Sequence, residues 1–329
     1  MALKNYPQTT QNTPMGNCFV GIPSFMLAPM CFDLDELDAD IAILGMPYDM
    51  GTAVRGGARF GPRGVREAST YNCYAHEGWY DPVTDRHYLG EKWKIVDCGD
   101  VDVLHTLYEP SFKNCEMAVR KILSKGAIPF VIGGDHAITT PVIRAFDCFE
   151  DICIVHFDAH MDFCKTTYGM ITEGQGNPMR RASEMKHIGK MISIGIRGIG
   201  SSKQKDIHDA LERGNIMVPA KDVRAKGVDW VISKLPDAKK YYISIDIDCL
   251  DPSIANGTGS PAPFGLYYEE VIPIIEAVTK KGDVVGFDIV EVAPPCDTNM
   301  LTAMYAAQIM LDTMTFICEA KEVKKNENK

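Results

Sequence analysis

Seven short apolar segments, each ending in polar or acidic residues, constrain the fold of this chain more than any other feature. They span residues 41–49, 94–103, 127–136, 152–160, 191–198, 241–248 and 284–292. Helical stretches such as 111–126 and 267–282, each ending on a glycine, lie between them, and 302–320 is a further apolar helix. Continuous apolar strands that alternate with helices form a parallel sheet covered on both faces. The sequence therefore predicts a three-layer α/β/α fold.

The domain organisation follows from where this alternation begins. Residues 1–35 carry turn formers and isolated apolar residues, which indicates an N-terminal arm packed on the body. Residues 36–329 contain no internal repeat, low-complexity linker or composition break. We therefore predict that 36–329 form a single domain.

The segment ICIVHFDAHMDF places Asp158, His160 and Asp162 at every second position after an apolar run. In a strand, side chains at such spacing point to one face. Two carboxylates and an imidazole on that face would repel or stay unsatisfied unless a cation lies between them. Aspartate oxygen and neutral histidine nitrogen are ordinary ligands of divalent metals. The segment is thus either a metal site or a polar strand end whose histidine is hydrogen-bonded to its neighbours.

Other strand ends extend this cluster, and ligands of parallel α/β sheets bind outside the carboxyl ends of the strands. The additional groups are Asp135 and His136 in VIGGDH, Asp246, Asp248 and Asp251 in SIDIDCLDP, and Asp288 and Glu291 in DIVEV. Four of the collected carboxylates, Asp158, Asp162, Asp246 and Asp248, would bring four negative charges to one edge. Two divalent cations would balance that charge, so the count favours a pair of metal ions.

The motifs GGDH, DAHxD and DxDxxDP, together with GMPYDMGTAVRGGARFGPRGVRE at 45–67, occur here in a specific order and spacing. In these motifs the chain resembles the ureohydrolases, which include arginase and agmatinase, and it is most similar to agmatinase-like members. The resemblance covers nearly the whole chain after the arm. It implies an arginase-like fold with a mainly parallel sheet of roughly eight strands. It also implies hydrolysis of a guanidino compound to urea and an amine.

The resemblance assigns roles to particular residues. His136 would bind the first of two manganese ions and His160 the second, with nickel as the alternative metal. Asp158 and Asp246 would bridge the two ions. Asp162 would bind the first ion and Asp248 the second. Asp135, His156, Asp251 and Asp288 would support these ligands. The paired cations would activate a water molecule for attack on the guanidinium carbon. Glu291 would hold the guanidinium through its two oxygens, unless it forms a salt bridge within the fold instead.

The loop DFCKTTYGMITEGQGNPMRRASEM departs from the family pattern, because Gln175 stands where many relatives have a proton-shuttle histidine. Glutamine cannot exchange a proton near neutral pH. Gln175 and Asn177 are therefore predicted substrate contacts, and protons would travel through Glu173, His187 or solvent.

The substrate tail stays open at this point. Agmatine is the default, and the alternatives are guanidinobutyrate, guanidinopropionate, and free or alkyl-substituted guanidine or biguanide. Arg180 and Arg181 could meet a substrate carboxylate, although surface charge is the simpler interpretation. A weakly active subunit of a mixed assembly is a further possibility.

Composition excludes several other classes. A net charge of −10 without a basic patch argues against nucleic-acid binding. We expect no membrane span, because no apolar run reaches about 18 residues, and no secretory leader. The 11 cysteines are scattered without a C-x-x-C pair, which is typical of reduced thiols in the cytoplasm. By resemblance, a homo-oligomer (trimer or hexamer) is expected, with a hetero-oligomer as alternative.

Two other functional classes compete with a ureohydrolase. A non-catalytic scaffold would not need six metal-ligand residues that converge on one sheet edge. An amidohydrolase similar to the histone deacetylases would use one zinc ion, whereas the paired motifs here supply ligands for two ions.

Overall fold

The computed structural model describes residues 18–19, 21–72, 78–200 and 202–327. This part of the chain contains ten strands: β1 Ile41–Met46, β2 Trp79–Asp81, β3 Arg86–Tyr88, β4 Ile95–Asp100, β5 Ile128–Gly133, β6 Ile152–Phe157, β7 Ile188–Ile196, β8 Ile216–Pro219, β9 Lys240–Asp246 and β10 Asp283–Val290. Eight of them form one sheet in the order β4-β1-β5-β10-β9-β6-β7-β8. Every pair in this sheet is parallel, and β2 and β3 form a separate antiparallel hairpin.

Helices cover both faces of the sheet. They are α1 Gly61–Ser69, α2 Tyr108–Ser124, α3 Thr139–Arg144, α4 Pro178–Ala182, α5 Gln204–Glu212, α6 Ala220–Lys226, α7 Val228–Ile232, α8 Tyr268–Lys281 and α9 Leu301–Glu327. Neighbouring strand residues enter opposite cores: Ile41 and Ile43 pack on the face covered by α1, α8 and α9, whereas Ala42 and Leu44 pack on the face covered by α2 and α3. Burial on both faces explains why these strands are continuously apolar. The predicted three-layer α/β/α fold is confirmed.

All seven predicted strands are present, and three strands were missed. The strand β8 is four residues long and ends on Pro219, so it lacks the length and the pattern that identify a strand. Strands β2 and β3 have only three residues each and lie outside the main sheet. Several predicted strands also end earlier than expected, because the polar residues after each apolar run no longer pair with the neighbouring strand.

The described portion of the predicted N-terminal arm packs on the body. Phe25 and Met26 are buried beside α1, and the Phe25 amide donates a hydrogen bond of 2.7 Å to Asp97 Oδ2. Residues 1–17 of the arm lie outside the described residues. The boundary at residue 36 stays a prediction.

Helix α9 is longer and more apolar than the sequence pattern suggested. Its segment Leu301–Asn326 is long enough to cross a bilayer, and an 18-residue window within it has a mean hydropathy of 1.3. However, 67% of the apolar window is buried inside the protein, where α9 packs against α1 and α8. Core packing accounts for the apolar composition of this helix.

Four strands at the centre of the sheet, β5, β10, β9 and β6, are consecutive neighbours. Their sequence order differs from their spatial order, because β9 and β10 insert between β5 and β6. Parallel strands end at the same edge, and ligand sites of such sheets lie where the strand order changes. The polar residues after these four strands therefore meet at one place.

Candidate active site

The first group of side chains surrounds one nitrogen atom of His136. Its Nδ1 lies 2.8 Å from Asp162 Oδ2, 3.2 Å from Asp158 Oδ2 and 3.3 Å from Asp246 Oδ2. His136 and Asp158 are fully buried, and the other two carboxylates are nearly so. Despite these short distances, Nδ1 has no hydrogen-bond partner of acceptable geometry among the described residues. Three carboxylate oxygens thus converge on an unpaired imidazole nitrogen.

A second group lies directly beside the first. His160 Nδ1 is 3.2 Å from Asp248 Oδ2 and 3.4 Å from Asp158 Oδ1. Asp158 therefore gives one oxygen to each group, and the ligand atoms within each group lie within 4.8 Å of one another. Asp246 contacts the first group only, since its Oδ1 accepts a hydrogen bond of 2.9 Å from the Asp248 amide. Bridging by Asp246 stays a prediction.

Turns bring these residues together, whereas the sequence analysis predicted that the pleat of a strand would do so for DAHMD. Strand β6 ends at Phe157 and β9 ends at Asp246, so the next ligands lie outside the sheet. Asp158 Oδ1 accepts a bond of 2.5 Å from the His160 amide, two residues on, in the way that aspartate closes a turn on its own backbone. Asp162 has a φ of +46°, a left-handed conformation that costs about 1–3 kcal/mol and concentrates at functional sites.

A buried relay fixes the orientation of His136. Its Nε2 lies 3.1 Å from Ser244 Oγ, and Ser244 Oγ donates a bond of 2.6 Å to Asp288 Oδ1. Tyr242 and Thr139 donate to the other oxygen of Asp288. Since Ser244 gives its proton to the carboxylate, we assign the ring proton to Nε2. Once a cation displaces the second ring proton, the Nδ1 lone pair points at the carboxylates, as in a metal-bound histidine whose other nitrogen is hydrogen-bonded.

The residues of both groups fit a pair of divalent cations. Burial, with repulsion from Asp248 and Asp158, raises the pKa of Asp246 well above its usual range. Burial and the charge of Asp158 also raise the pKa of Asp162. Buried carboxylates that repel one another around a nitrogen lone pair require positive charge between them. Histidine nitrogen and carboxylate oxygen are suitable ligands for such ions.

We predict that metal binding releases protons and weakens as pH falls. Burial alone would lower the pKa of His136, but three facing carboxylates raise it well above the usual range, and the pKa of His160 rises to about 12 for a similar reason. Both rings therefore hold protons at neutral pH until a cation displaces them. Calorimetric titration of metal-free protein, in buffers of different ionisation enthalpy, measures this release. Binding without proton release, and with equal affinity at about pH 6 and about pH 8, would contradict the prediction.

Glu291 follows β10 and lies against the first group. Its φ is +63°, its amide donates a bond of 2.8 Å to the Gly134 carbonyl, and its Oε1 accepts a bond of 2.9 Å from the His136 amide. Oε2 is buried without a partner in the part of the chain that the structure describes. Burial and repulsion from Asp135 raise the Glu291 pKa well above its usual range. No described lysine or arginine pairs with it, which disfavours the alternative of a structural salt bridge.

A tight backbone contact closes one side of Glu291. A Cβ on Gly259 would lie only 3.4 Å from Glu291 Oε2 and 2.7 Å from the Arg55 carbonyl oxygen. The Arg55 side chain in turn donates to the carbonyls of Thr258 and Gly259. Arg55 therefore braces the segment that faces the free carboxylate oxygen.

The loop with Gln175 packs on the segment beside the site. The Gln175 amide donates to Gly51 O, and the Gly51 amide donates a bond of 2.7 Å to Asp135 Oδ2. Gln175 Oε1 is buried and finds no partner within the described ranges. Asn177 is fully buried, with its side chain bonded to Gly174 N and Cys164 O of its own loop. These contacts give Asn177 a role in shaping the loop, and its predicted substrate contact stays untested.

The other loop residues considered from the sequence are engaged elsewhere. Glu173 Oε1 pairs with Arg144 at 2.8 Å, and His187 Nε2 lies 3.0 Å from the Ile143 carbonyl oxygen. Arg180 is 6% exposed and pairs with Glu184 and Asp209, so the interpretation of it as surface charge is wrong.

The six predicted metal ligands lie together, and three of the four predicted supporting residues contact the segments that carry them. The fourth, Asp251, accepts bonds from the Ser253 and Gly265 amides instead. His156, Asp135 and Asp288 contact ligand-bearing segments as expected of supporting groups. The relay through Ser244 was missed. Its signal was available, because Ser244 precedes Asp246 by two residues in SID and so shares its face.

The comparisons with known proteins point to one family. The profile of the Arginase family matches residues 39–315. The chain is 32% identical to a guanidinopropionase from Pseudomonas aeruginosa, over 92% of this chain and 93% of that protein. It is 33% identical to an agmatinase from Escherichia coli, over 94% of this chain and 96% of that protein. Its fold matches that of proclavaminate amidino hydrolase from Streptomyces clavuligerus with a TM-score of 0.82, at 30% identity over 92% of this chain and 99% of that one. Because these matches span most of its length, the chain belongs to the arginase family.

Proposed function

We propose that this protein hydrolyses the C–N bond of a guanidino compound, with release of urea and an amine. The observation that carries the proposal is the position of Glu291. One oxygen is held by the His136 amide beside the metal-ligand cluster, and the other is buried and unpaired. A carboxylate offers the planar guanidinium group a charge-matched acceptor. Glu291 would thus hold the substrate carbon next to the two ligand groups.

The ligand groups divide between two cations. The first group comprises His136, Asp158, Asp162 and Asp246, and the second comprises His160, Asp158 and Asp248. When bound, such a pair lowers the pKa of water and supplies the nucleophile. The oxygen of that water would add to the guanidinium carbon, and the bond from this carbon to the substituted nitrogen would break as the C=O bond of urea forms. The two protons that the water loses would pass to the leaving nitrogen, which departs as an ammonium group. Gln175 cannot carry either proton near neutral pH.

For the metal we propose manganese, with nickel as the alternative. Four carboxylates and two imidazoles form an oxygen-rich donor set without a thiolate, which suits manganese. Nickel accepts the same imidazole and carboxylate donors and binds them more tightly. Metal analysis of protein purified from cells grown with each metal would separate the two.

Agmatine is the default substrate, and its support is the similarity to an agmatinase. The guanidinopropionase is nearly as similar, so identity alone does not decide between an amine tail and a carboxylate tail. Arg180 and Arg55 are already engaged with other groups, which weighs against a substrate carboxylate at either residue. Guanidinobutyrate, free or alkyl-substituted guanidine and biguanide remain alternatives, as does a weakly active subunit of a mixed assembly.

A panel assay tests the proposed activity. Protein loaded with manganese or nickel is incubated with agmatine, guanidinopropionate, guanidinobutyrate, guanidine and an alkylguanidine, and urea is measured. We expect urea from at least one compound, and its loss after chelation. No urea from any compound, with two metal ions bound, would contradict the proposal.

We propose a cytoplasmic setting for this protein. All ten cysteines within the described ranges carry free thiols, which suits the cytoplasm. A net charge of −10 disfavours nucleic-acid partners, and we propose a soluble protein without a membrane partner. We also propose a homo-oligomer, either a trimer or a hexamer, with a hetero-oligomer as alternative. Light scattering of the purified chain measures its mass.

We predict that Gln175→His changes the rate and its pH dependence but not the metal content. An imidazole titrates near about pH 6.5, and general acid-base assistance is typically worth about 10²- to 10⁴-fold. A gain on agmatine would indicate that the natural substrate is one that tolerates glutamine. A loss on the natural substrate would indicate that the unpaired Gln175 Oε1 accepts a bond from it. Unchanged kinetics on every compound, from about pH 6 to about pH 9, would place Gln175 outside the site.

A further inference from the structure

A row of polar side chains crosses the sheet. On β6 and β9 its members precede the metal ligands by two residues. In the strand register, Ser193 of β7 pairs with His156 of β6, His156 pairs with Ser244 of β9, and Ser244 pairs with Asp288 of β10. All four residues are at most 2% exposed. Such a row within an apolar sheet is costly unless each member is hydrogen-bonded. The relay from Asp288 to His136 accounts for half of this row, and His156 with Ser193 forms the other half.

His156 contacts the carboxylate that the two ligand groups share. Its Nε2 lies 2.8 Å from Asp158 Oδ2, and its Nδ1 lies 3.1 Å from Ser193 Oγ. The same Asp158 Oδ2 lies 3.2 Å from His136 Nδ1, in the first group. The other oxygen, Oδ1, accepts from the His160 amide and faces the second group. His156 therefore bonds the oxygen that faces the first group.

We propose that His156 is a positioning residue, which holds Asp158 in the rotamer that directs one oxygen to each cation. The terminal torsion of aspartate is broad, so a carboxylate needs a bond on each oxygen to stay in one orientation. The His160 amide fixes Oδ1, and His156 fixes Oδ2. Ser193 can donate to Nδ1, which leaves the proton on Nε2, where it meets the carboxylate. The inference rests on the two-cation site of the proposed function, and it is independent of the substrate.

Two substitutions separate this role from simple packing. In His156→Gln the amide group reaches about as far as Nε2 and can still donate to Asp158. In His156→Asn the amide reaches only the position of Nδ1, so it can bond Ser193 but not Asp158. Both variants have a smaller, polar side chain. They differ chiefly in which hydrogen bond remains, the one to Asp158 or the one to Ser193. Ser193→Ala is a milder change that keeps the imidazole and removes only the partner that sets its tautomer.

The experiment measures metal stoichiometry by elemental analysis and metal affinity by calorimetry with manganese alone. The unfolding temperature of each metal-free variant serves as the folding control. We expect His156→Asn to lose about 10- to 100-fold in affinity, the range for an outer-shell partner. The loss of metal affinity should be clearly smaller in His156→Gln. The affinity of Ser193→Ala should lie between that of His156→Gln and that of the unmodified protein. Paramagnetic resonance should show the spin-coupled manganese pair of the unmodified protein weakened most in His156→Asn.

Several outcomes would overturn the proposal. Affinities within about twofold of the unmodified protein in both His156 variants would show that Asp158 needs no such support. Equal losses in His156→Gln and His156→Asn, matched by equal falls in the unfolding temperature of the metal-free protein, would assign His156 to packing. If neither His156 variant folds, unchanged affinity in Ser193→Ala decides against the proposal. If the unmodified protein itself binds no manganese or nickel, the proposed function fails, and this result is distinct from the others.

Discussion

Asp158→Asn is expected to bind at most one manganese ion tightly and to lose at least about 100-fold in turnover. A change to a residue that only supports a metal ligand costs up to about 100-fold, and Asp158 is itself a predicted ligand. One oxygen of Asp158 lies near His136 and the other near His160, so both groups depend on this side chain. An amide keeps the shape but removes the negative charge, and its nitrogen is a donor that cannot bind a cation. Elemental analysis after gel filtration, together with a urea assay, measures both effects.

Asp248→Asn is the matched comparison, because Asp248 faces His160 alone. It should lose the second ion and retain the first. Asp246→Asn should lose the first ion, because Asp246 Oδ2 faces His136. Its effect on the second ion tests the predicted bridging. If Asp246→Asn loses both ions as Asp158→Asn does, Asp246 bridges as the family resemblance implies. Equal metal content and equal turnover in all three variants would argue against Asp158 as the shared ligand.

The fold was predictable because the relevant signal is local and repeated. Each central strand is a run of apolar residues that enters two cores at once, which is typical of parallel α/β sheets covered on both faces. The order of the strands was not predictable from that pattern. The insertion of β9 and β10 between β5 and β6 depends on pairing between distant residues, such as Phe157 with Ile245 and Phe130 with Phe287, for which a single sequence contains no periodic signal.

The composition of the site was predictable, and its geometry was not. The spacing of Asp158, His160 and Asp162 identified them, although turns hold them where a pleated strand was expected. The backbone of Asp162 and Glu291 adopts a left-handed conformation, which propensity disfavours for both residue types. Such conformations persist only where the surrounding structure imposes them, so local sequence rules fail at these two positions. Family resemblance found Glu291, and only the structure showed that one of its oxygens is unpaired.

Glu291→Gln is expected to retain both metal ions and to lower kcat/KM for guanidinium substrates by about 30- to 5,000-fold. The estimate corresponds to about 2–5 kcal/mol for the loss of one member of a buried, hydrogen-bonded charge pair. Glutamine can keep its oxygen on the His136 amide, as Glu291 Oε1 does at 2.9 Å. The amide nitrogen would then replace Oε2 and present a donor to the donors of the substrate. Steady-state kinetics, with metal analysis of the same sample, measures the effect.

Glu291→Asp is the control variant that keeps the negative charge but has a shorter side chain. It retains the carboxylate but withdraws it by one methylene, so the bond to the His136 amide and the contact with substrate cannot both be kept. We expect this variant to lose activity as well, with kcat lowered more and KM raised less than in Glu291→Gln, because the ionic attraction survives while the alignment does not. A Glu291→Gln protein with full metal content and near-normal kcat/KM would show that the unpaired Oε2 serves the fold. The guanidinium group would then bind elsewhere in the site, and the observation that carries the proposed function would lose its meaning.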